Sequence, residues 1–487
     1  MSKWYLSKSK ILSGNQCLKR LYLEVNKPEL SEVSGALAQQ FATGHAVGTA
    51  AQTLWPKGHL ITHDSELAEA LRETQQYLSD DPEATLFEAT FQSDGVLVRN
   101  DILECNTNGA RLVEIKASTS VKDYHLLDVA VQTWVLQRAG LDLTRIEFGH
   151  INTKFVYQGD GNYDGLFTFV DIAKDIRGNL RTVPQLVSRL REMLKGTEPT
   201  IGIGPHCHDP FDCPFINYCT PPPSEYPVSL LPRGGKVVNK LIEEGYRDLR
   251  DVPAERLTNA NHQRIWRVTR SGQPELLAGG KKILDKLPYP RYYMDFETVQ
   301  FAVPIWKGTH PYERLPFQWS CEIETADGTL QHAEFLDASG DAPMEGFCRA
   351  LLDCMGQDGP VFVYNAAFEK SILTGLAGRF PHDAKHLAGI IDRIVDLLPI
   401  TRDHYYHPDM QGSWSIKDVL PTIAPHLDYE NLGEVQDGGG APAAYLEILD
   451  SATPEVRRKS LISDLLHYCE RDTMAMVELA RFIANQR

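Results

Sequence analysis

The chain has 487 residues, of which 42% are hydrophobic and 23% are charged, and its formal net charge is −16 at pH 7. This length exceeds what one hydrophobic core supports and predicts two or three domains. The acidic balance argues against a general nucleic-acid coat protein. The sequence has no apolar run long enough to span a bilayer and no apolar signal segment near its first residues, so we expect a soluble, cytoplasmic protein.

The first third of the chain has three predicted strands that carry charged residues. Two runs, the first beginning at Glu88, are expected to pair and to end near Asp101, and the next run carries Glu114 and Lys116. Because side chains alternate along a strand, Glu114 and Lys116 share one face. A predicted helix with Gln132 follows.

An aspartate on one strand followed by Glu-x-Lys on the next resembles the PD-(D/E)xK nucleases. The resemblance implies that Asp101 and Glu114 hold one or two Mg²⁺ ions, and that Lys116 helps to deprotonate water or stabilises charge on the phosphate. Gln132 stands where RecB-type members of this superfamily place a glutamine. Glu88 is a candidate for an additional metal ligand.

Four of the nine cysteines form a pattern of their own. The number is odd and no secretion signal is recognised, so a disulfide framework is not expected. Cys207, Cys213 and Cys219 are evenly spaced in a proline-rich stretch, and Cys17 lies near the N-terminus. One cysteine before the nuclease strands and three after them resembles the iron–sulfur RecB-like nucleases of the Cas4 type. The resemblance implies a [4Fe–4S] cluster that joins the two ends of the domain.

The spacing of the cysteines leaves alternatives to this cluster. Five residues separate Cys207 from Cys213, more than in the usual pair of that family. A Zn²⁺ site with His206 or His208 as a ligand is therefore the first alternative. Unligated thiols are the second.

Proline-rich residues 220–232 predict a stiff linker that ends the first domain, residues 1–225. Residues 226–287 are expected to form a small helical connector, and residues 288–487 a third domain. Residues 226–290 carry 12 Lys and Arg against 7 Asp and Glu, which makes this part of the chain basic.

Within the connector, Arg264, Trp266 and Arg267 place an aromatic ring among cations. Such a pattern suits contact with phosphates and stacking on bases. The alternative is a solvated helix with Trp266 in a local core.

Acidic residues recur at three places in the last 200 residues. Asp295 and Glu297 are two apart on a predicted strand and point to one face. Glu369 follows a second strand in the first turns of a helix. Tyr468 and Asp472 are neighbours, four residues apart, on a later helix.

Adjacent carboxylates repel unless a cation lies between them, and two divalent ions about 3.5–4 Å apart are the usual means of in-line attack on a phosphodiester. This order of acids resembles the DnaQ-like 3′–5′ exonucleases of the DEDD type, which have an RNase H fold. The resemblance implies that Tyr468 orients the attacking water and that four carboxylates hold two Mg²⁺ or Mn²⁺ ions. These are Asp295, Glu297, Glu369 and Asp472. The family usually has Asp where Glu369 stands, and Asp396 is interpreted as part of a capped or salt-bridged flank.

The whole arrangement resembles the bacterial DUF2779-type proteins. We therefore expect an α/β, multidomain fold with a PD-(D/E)xK restriction-endonuclease-like core, a helical connector and an RNase H-like exonuclease domain. The expected function is metal-dependent hydrolysis of DNA ends or single strands, in repair, recombination or phage defence, with DNA favoured over RNA. Two alternatives are a one-site nuclease with an N-terminal DNA-binding module and a nucleic-acid-binding scaffold with degenerate sites.

Overall fold

A computed structural model gives the fold of the chain. It describes residues 6–32, 35–62, 66–220, 222, 224–427, 435 and 439–485, with the backbone alone for 35–40. Two positions of the predicted proline linker, 221 and 223, lie outside the described residues. The chain forms two compact units: residues 1–221 with 301–313, and residues 222–300 with 314–487.

The first unit is built on a seven-stranded mixed sheet. Its strands are β1 (Leu6–Ser7), β2 (His59–Leu60), β3 (Thr85–Ser93), β4 (Val96–Asn106), β5 (Gly109–Lys116), β6 (Leu143–Ile151) and β7 (Phe167–Asp171). Its helices are α1 (Lys8–Gln16), α2 (Leu18–Asn26), α3 (Gly35–Gln52), α4 (Leu67–Asp80), α5 (Asp123–Arg138), α6 (Arg177–Lys195) and α7 (Ile216–Cys219).

The sheet of the first unit runs in the order β2-β3-β4-β5-β6-β7, and β1 pairs in parallel with β4. β3, β4 and β5 are antiparallel neighbours, whereas β5 and β6 are parallel because α5 crosses between them. Alternate residues of these strands enter a core that they share with α1, α5 and α6. Other residues of β3, β4 and β5 enter a second core that includes α3, so the central strands are covered on both faces.

Residues 301–313 belong to the first unit although they follow strands of the second unit in the sequence. Ala302 is 5% exposed within a core cluster of the first unit. The backbone of Tyr157 pairs with Gly308 and Thr309, at 2.7 and 3.1 Å. The hydroxyl of Tyr312 donates a hydrogen bond to the carbonyl oxygen of the residue that follows β5.

The second unit is built on a five-stranded sheet and a two-stranded one. Its strands are β8 (Glu275–Leu276), β9 (Arg291–Val299), β10 (Leu315–Glu324), β11 (Leu330–Leu336), β12 (Val361–Val363), β13 (Ile394–Asp396) and β14 (Tyr405–Tyr406). Its helices are α8 (Gly235–Glu243), α9 (Ala260–Ser271), α10 (Gly279–Leu284), α11 (Met344–Cys354), α12 (Ala367–Arg379), α13 (Ala384–Asp392), α14 (Leu397–His404), α15 (Ile416–Ile423), α16 (Gly440–Leu449) and α17 (Glu455–Ala484).

The larger sheet has the order β11-β10-β9-β12-β13, which puts β9 at its centre. β9 is antiparallel to β10 and parallel to β12. The long helix α17 buries apolar side chains at helical spacing, among them Leu461, Leu465 and Cys469, and packs on β9 and β10. The architecture is thus mixed α/β, and none of the described helices combines the length and apolar character needed to cross a bilayer.

The predicted connector, 226–287, differs from its expected form. Apolar side chains of this segment, such as Leu241 and Ile265, share one core with Phe362 of β12 and Val477 of α17. The basic stretch is therefore part of the second unit and not a separate module. Hydrophobic burial accounts for the difference, since short helices of this kind cannot bury their apolar faces alone.

Gly359 marks a tight backbone approach just before β12. Its φ is +87°, and a Cβ at this position would overlap the carbonyl oxygen of Pro290, a backbone atom that cannot swing away. We expect Gly359→Ala to lower the free energy of unfolding by about 2 kcal/mol or more. Gly375→Ala, in open space within α12, is the matched control and is expected to be neutral or stabilising by up to about 1 kcal/mol. Equal midpoints of thermal unfolding for the two variants would contradict this.

Candidate functional site

Three acidic side chains of the second unit come together beside the central strand. Asp295 and Glu297 lie two residues apart on β9, and Asp472 lies on α17. One carboxylate oxygen from each lies within 4.8 Å of the other two. The thiol of Cys469, one turn before Asp472, lies 3.8 Å from an Asp295 carboxylate oxygen. The structure thus brings together three of the four acids predicted for this site.

Glu369, the fourth predicted acid, lies in the first turn of α12 and is only 2% exposed. Its Oε2 is buried and accepts no hydrogen bond from any residue in the described part of the chain. Its charge is close enough to raise the pKa of Asp295. A buried carboxylate oxygen without a donor is costly unless a cation satisfies it.

The acidity of these carboxyl groups is strongly perturbed. Burial raises the pKa of Glu297 to about 8, and Asp472 adds to the shift while Lys417 opposes it. Burial likewise raises the pKa of Glu369 to about 8. The pKa of Asp295 is raised by burial first and then by Asp472, Glu297 and Glu369. Crowded carboxylates of this kind are typical of metal and catalytic sites.

Tyr468 and Lys417 complete this group. Tyr468 is 2% exposed on α17, and the Lys417 ammonium group lies 4.7 Å from the centre of its ring. Nothing in the sequence indicates Lys417, because no spacing rule connects α15 with a strand more than 100 residues earlier. Asp396 instead accepts hydrogen bonds from the backbone of Leu398, Asn365 and a neighbouring residue, so its carboxylate is a helix cap.

A separate group on β10, β11 and α17 also contains ligand-type side chains. Glu322, His332 and Glu470 have ligand atoms within 4.8 Å of one another. The ring of His332 lies 2.7 Å from Glu322 and 3.3 Å from Glu334. A hydrogen bond to Glu322 raises the pKa of His332 to about 9, so the imidazolium itself balances these carboxylates.

In the first unit, carboxylates form a row across three adjacent strands. The register of β3 and β4 places Glu88 opposite Asp101. Continuing the register of β4 and β5 by one residue places Glu114 opposite Asp101 as well. Glu88 has a backbone φ of +55°, which is uncommon for a residue other than glycine. This conformation interrupts the pairing of β3 with β4 at that point. Burial and then the charge of Asp101 raise the pKa of Glu88 to about 7.

Glu114 lies at the centre of a hydrogen-bonded group. It is fully buried; its Oε1 accepts from Lys116, and its Oε2 accepts from Gln132 at 2.8 Å. The Lys116 ammonium group also lies 3.7 Å from Asp101. Burial acts to raise the pKa of Glu114, but Lys116 and Lys8 outweigh it and hold this pKa well below its usual range. The four residues predicted for this site are therefore brought together.

Two residues of this group, Lys8 and Asp128, are not among those predicted from the sequence. Lys8, the first residue of α1, lies 2.8 Å from Glu114 Oε1. Asp128 is 4% exposed on α5, one turn before Gln132, and lies within 4 Å of both lysines. The spacing of Asp128 and Gln132 on one helix face is a signal that could have identified the aspartate. No local pattern could have identified Lys8.

The four predicted cysteines line one small cavity in the first unit. Cys17 lies between α1 and α2, and Cys207, Cys213 and Cys219 come from the loop that ends in α7. Burial raises the pKa of Cys213 and of Cys219, and neighbouring thiols add to both shifts. The side chain of Gln16 bridges the segments by donating to two backbone carbonyl groups of the loop.

Cations accompany these thiols. Lys19 and Arg20 line the same cavity, and their charges act to lower the pKa of Cys219 and Cys213, respectively. His206 lies beside the cavity, with its Nε2 3.7 Å from the Cys207 sulfur. In the described part of the chain, two groups bring three or more ligand atoms within 4.8 Å of one another, and neither contains a cysteine. The thiols are therefore spaced more widely than the carboxylates of the second unit.

The three residues predicted to contact nucleic acid, Arg264, Trp266 and Arg267, lie on α9 of the second unit. Arg264 is 6% exposed, and its guanidinium pairs with Glu275 at 2.6 Å and donates to a backbone carbonyl. Trp266 donates to the carbonyl of Val252 and packs against the core of the second unit. Arg264 is therefore buried and Trp266 partly buried, as the local-core alternative expects for the tryptophan. Arg267, whose side chain is 55% exposed, also pairs with Glu275.

Comparison with known proteins places part of this chain near proteins of unknown function. Residues 292–415 match a family described as a domain of unknown function, DUF2779, which confirms the resemblance for that stretch. The chain is 28% identical over 226 residues to an uncharacterized protein of Mycoplasma pneumoniae, which covers 42% of this chain and 33% of that protein. It is 24% identical over 247 residues to an uncharacterized protein of Ureaplasma parvum, and this match covers 46% of this chain and 36% of that protein. The chain thus spans about a third of these relatives' length.

The raised pKa values of the second unit predict how stability depends on pH. Glu369 has a pKa near 8 against an ordinary 4.5, so folding without a bound cation takes up protons. The free energy of unfolding is expected to fall as pH rises from 4.5 through about 8, by up to about 1.4 kcal/mol per pH unit for each such group. Denaturant unfolding in EDTA at a series of pH values measures this.

In the same experiment, the free energy of unfolding of Glu369→Gln should fall less steeply as pH rises. Glu345→Gln is the matched control, since Glu345 also lies in the first turn of a helix but has 71% of its side chain exposed. An equally steep decrease in all three proteins would show that Glu369 is not the titrating group.

Proposed function

We propose that the chain is a divalent-metal-dependent nuclease whose main site is the carboxylate group of the second unit. One observation carries the proposal: the buried Oε2 of Glu369 accepts no hydrogen bond from the described residues, and its charge is close enough to raise the pKa of the Asp295 carboxyl group. Such an arrangement is costly by itself and is relieved by cations. The position of Asp295 and Glu297 on the central strand of a mixed sheet supports the DnaQ-like, RNase H-type interpretation.

The donor set fits hard divalent cations. Asp295, Glu297, Glu369 and Asp472 offer carboxylate oxygens alone, which are the ligands that Mg²⁺ and Mn²⁺ prefer. Four carboxylates together match the charge of two divalent ions. The oxygen atoms of three of them already lie within 4.8 Å of one another, which is compatible with ions that share ligands.

In the proposed reaction, bound divalent ions supply Lewis acidity and lower the pKa of water. The phenol of Tyr468, held on α17 four residues before Asp472, orients the attacking water. The water oxygen forms a bond to phosphorus and gives up a proton as the bond from phosphorus to the 3′ oxygen breaks. The departing 3′ oxygen takes up a proton, and a nucleoside 5′-monophosphate is released.

The first unit is proposed to hold a second hydrolytic site of the PD-(D/E)xK type. Its supports are the row formed by Glu88, Asp101 and Glu114, and the ammonium group of Lys116 beside it. In this proposal Lys116 stabilises negative charge on the phosphate, and Gln132 holds the carboxylate of Glu114 in position. The proposed substrate is DNA, at ends or in single strands.

A [4Fe–4S] cluster is the proposed occupant of the cysteine cavity. Thiolates around one tetrahedral Zn²⁺ lie about 3.8 Å apart, and no three of the described thiols come within 4.8 Å of one another. Four thiolates around a cluster also leave net negative charge, which Lys19 and Arg20 can balance. Zinc, with His206 as a ligand, is the alternative.

Replacing Asp295 tests the main site. Asp295→Asn keeps the shape of the side chain but removes the charge that holds metal. We expect 3′ trimming of DNA labelled at its 5′ end to fall by about 100-fold or more in Mg²⁺ or Mn²⁺, with the thermal midpoint unchanged or raised. Asp353→Asn, on an exposed position of α11, is the matched control. Undiminished trimming by the folded Asp295→Asn protein would reject this site.

The two sites can be separated in the same assay. Glu114→Ala is expected to spare the 3′ trimming that depends on Asp295, and the two substitutions together should remove all hydrolysis. Lys116→Ala should behave as Glu114→Ala does, since both act on one phosphate. Loss of every activity in Glu114→Ala alone would reject two independent sites, and a wild-type protein inactive on labelled DNA and RNA would favour a binding scaffold.

Removing one cysteine tests the proposed cluster. Anaerobically purified protein is expected to be brown, and Cys17→Ala should lose this colour and its bound iron. A cross-link that closes a loop of about 190 residues contributes roughly 5 kcal/mol, so the thermal midpoint should fall by on the order of 10 °C. Cys105→Ala, in the same unit but outside the cavity, should keep both properties. A colourless wild-type protein with stoichiometric zinc would favour the alternative metal.

A further inference from the structure

The carboxylate site of the first unit contains a second lysine that comes from outside its strands. β1 pairs in parallel with β4, with Ser7 opposite Leu97, and α1 begins at the next residue, Lys8. This pairing fixes the first turn of α1 on β4, the strand that carries Asp101. Lys8 therefore reaches the site through a defined element of the fold.

Lys8 shares a carboxylate oxygen with Lys116. Its Nζ lies 2.8 Å from Glu114 Oε1 and 3.9 Å from Asp128 Oδ1, and its side chain is 22% exposed. Lys116 donates to the same Oε1. Both lone pairs of this oxygen therefore accept ammonium protons. A divalent ion can reach Oε1 only if one ammonium group leaves.

The two lysines are not held equally. Lys116 lies on β5, two residues from Glu114, and its Nζ is also 3.7 Å from Asp101 and 3.8 Å from Asp128. Three carboxylates thus surround it, whereas Lys8 contacts two of them and enters from a separate helix. Of the two ammonium groups, that of Lys8 can withdraw without any change in the sheet.

We propose that Lys8 is a tethered competitor of the divalent metal ion at the N-terminal site. In the metal-free protein its ammonium group neutralises Glu114 and Asp128, and binding of the ion displaces it. The proposal rests on the N-terminal metal site of the proposed function and concerns the concentration of divalent ion at which that site fills. This site fills only at a higher concentration of divalent ion than its carboxylates alone would require.

The test measures metal binding directly. The parent is the full-length protein with Asp295→Asn and Glu297→Gln, and Mn²⁺ binding is followed by the electron paramagnetic resonance signal of free Mn²⁺. The part of binding that Glu114→Gln removes belongs to the N-terminal site. Lys8→Met is expected to lower the dissociation constant at this site by at least about tenfold, because a positive charge close to the ion is removed.

Two further variants control for the charge. Lys8→Arg keeps the positive charge and should bind Mn²⁺ as weakly as the parent. Lys10→Met removes a charge from the same helix and is expected to leave the dissociation constant unchanged. If Lys8→Met fails to fold, Lys8→Gln is measured in its place.

Thermal unfolding provides a second readout. Without metal, Lys8→Met should be less stable than the parent, since Glu114 and Asp128 lose a counter-ion. Mn²⁺ should then raise the midpoint of Lys8→Met by more than it raises that of the parent. A lysine with a purely structural role would lower the midpoint and leave the response to Mn²⁺ unchanged.

The outcomes separate this inference from the proposed function. An unchanged dissociation constant in Lys8→Met, together with loss of binding in Glu114→Gln, rejects competition by Lys8 while the metal site stands. Absence of Mn²⁺ binding in the parent and in Lys8→Met alike rejects both. Binding that is detected only after Lys8→Met would support the inference most strongly.

Discussion

The repulsion between carboxylates that face one another away from water is the constraint on which both sites depend. Removing a carboxylate from water favours its protonated form, and a second carboxylate nearby increases the effect. The folded chain nevertheless positions such groups from several elements, as with Asp295 on β9, Glu369 on α12 and Asp472 on α17. The packing of these elements must therefore outweigh the electrostatic cost, or a cation must relieve it.

The two units meet this cost in different ways. In the first unit, the ammonium groups of Lys8 and Lys116 lie against Glu114 and hold its pKa below the usual range. In the second unit, burial raises the pKa values of Glu297 and Glu369 to about 8, although Lys417 opposes the shift of Glu297 and a backbone hydrogen bond opposes that of Glu369. The first site is therefore neutralised in part by its own side chains. The carboxyl groups of the second site are instead shifted towards their protonated forms.

The sequence predicts the strands of both sites well, because two-residue alternation and local pairing determine them. Asp295 with Glu297, and Glu114 with Lys116, share a face for this reason. Contacts made by distant segments could not be predicted, because no local spacing encodes them. Lys8 reaches Glu114 across 106 residues. The burial of Arg264 was missed for the same reason, since its partner carbonyl lies 138 residues away.

Residues 301–313 show that the two units are not consecutive stretches of chain. They connect β9, which carries Asp295 and Glu297, with β10, yet Ala302 lies in a core cluster of the first unit and Tyr157 pairs with their backbone. A chain cut after residue 221 would lack part of that core. The first unit can therefore complete its packing only after β9 has been synthesised. Long-range dependence of this kind slows folding, because the intervening chain must be ordered before the contact forms.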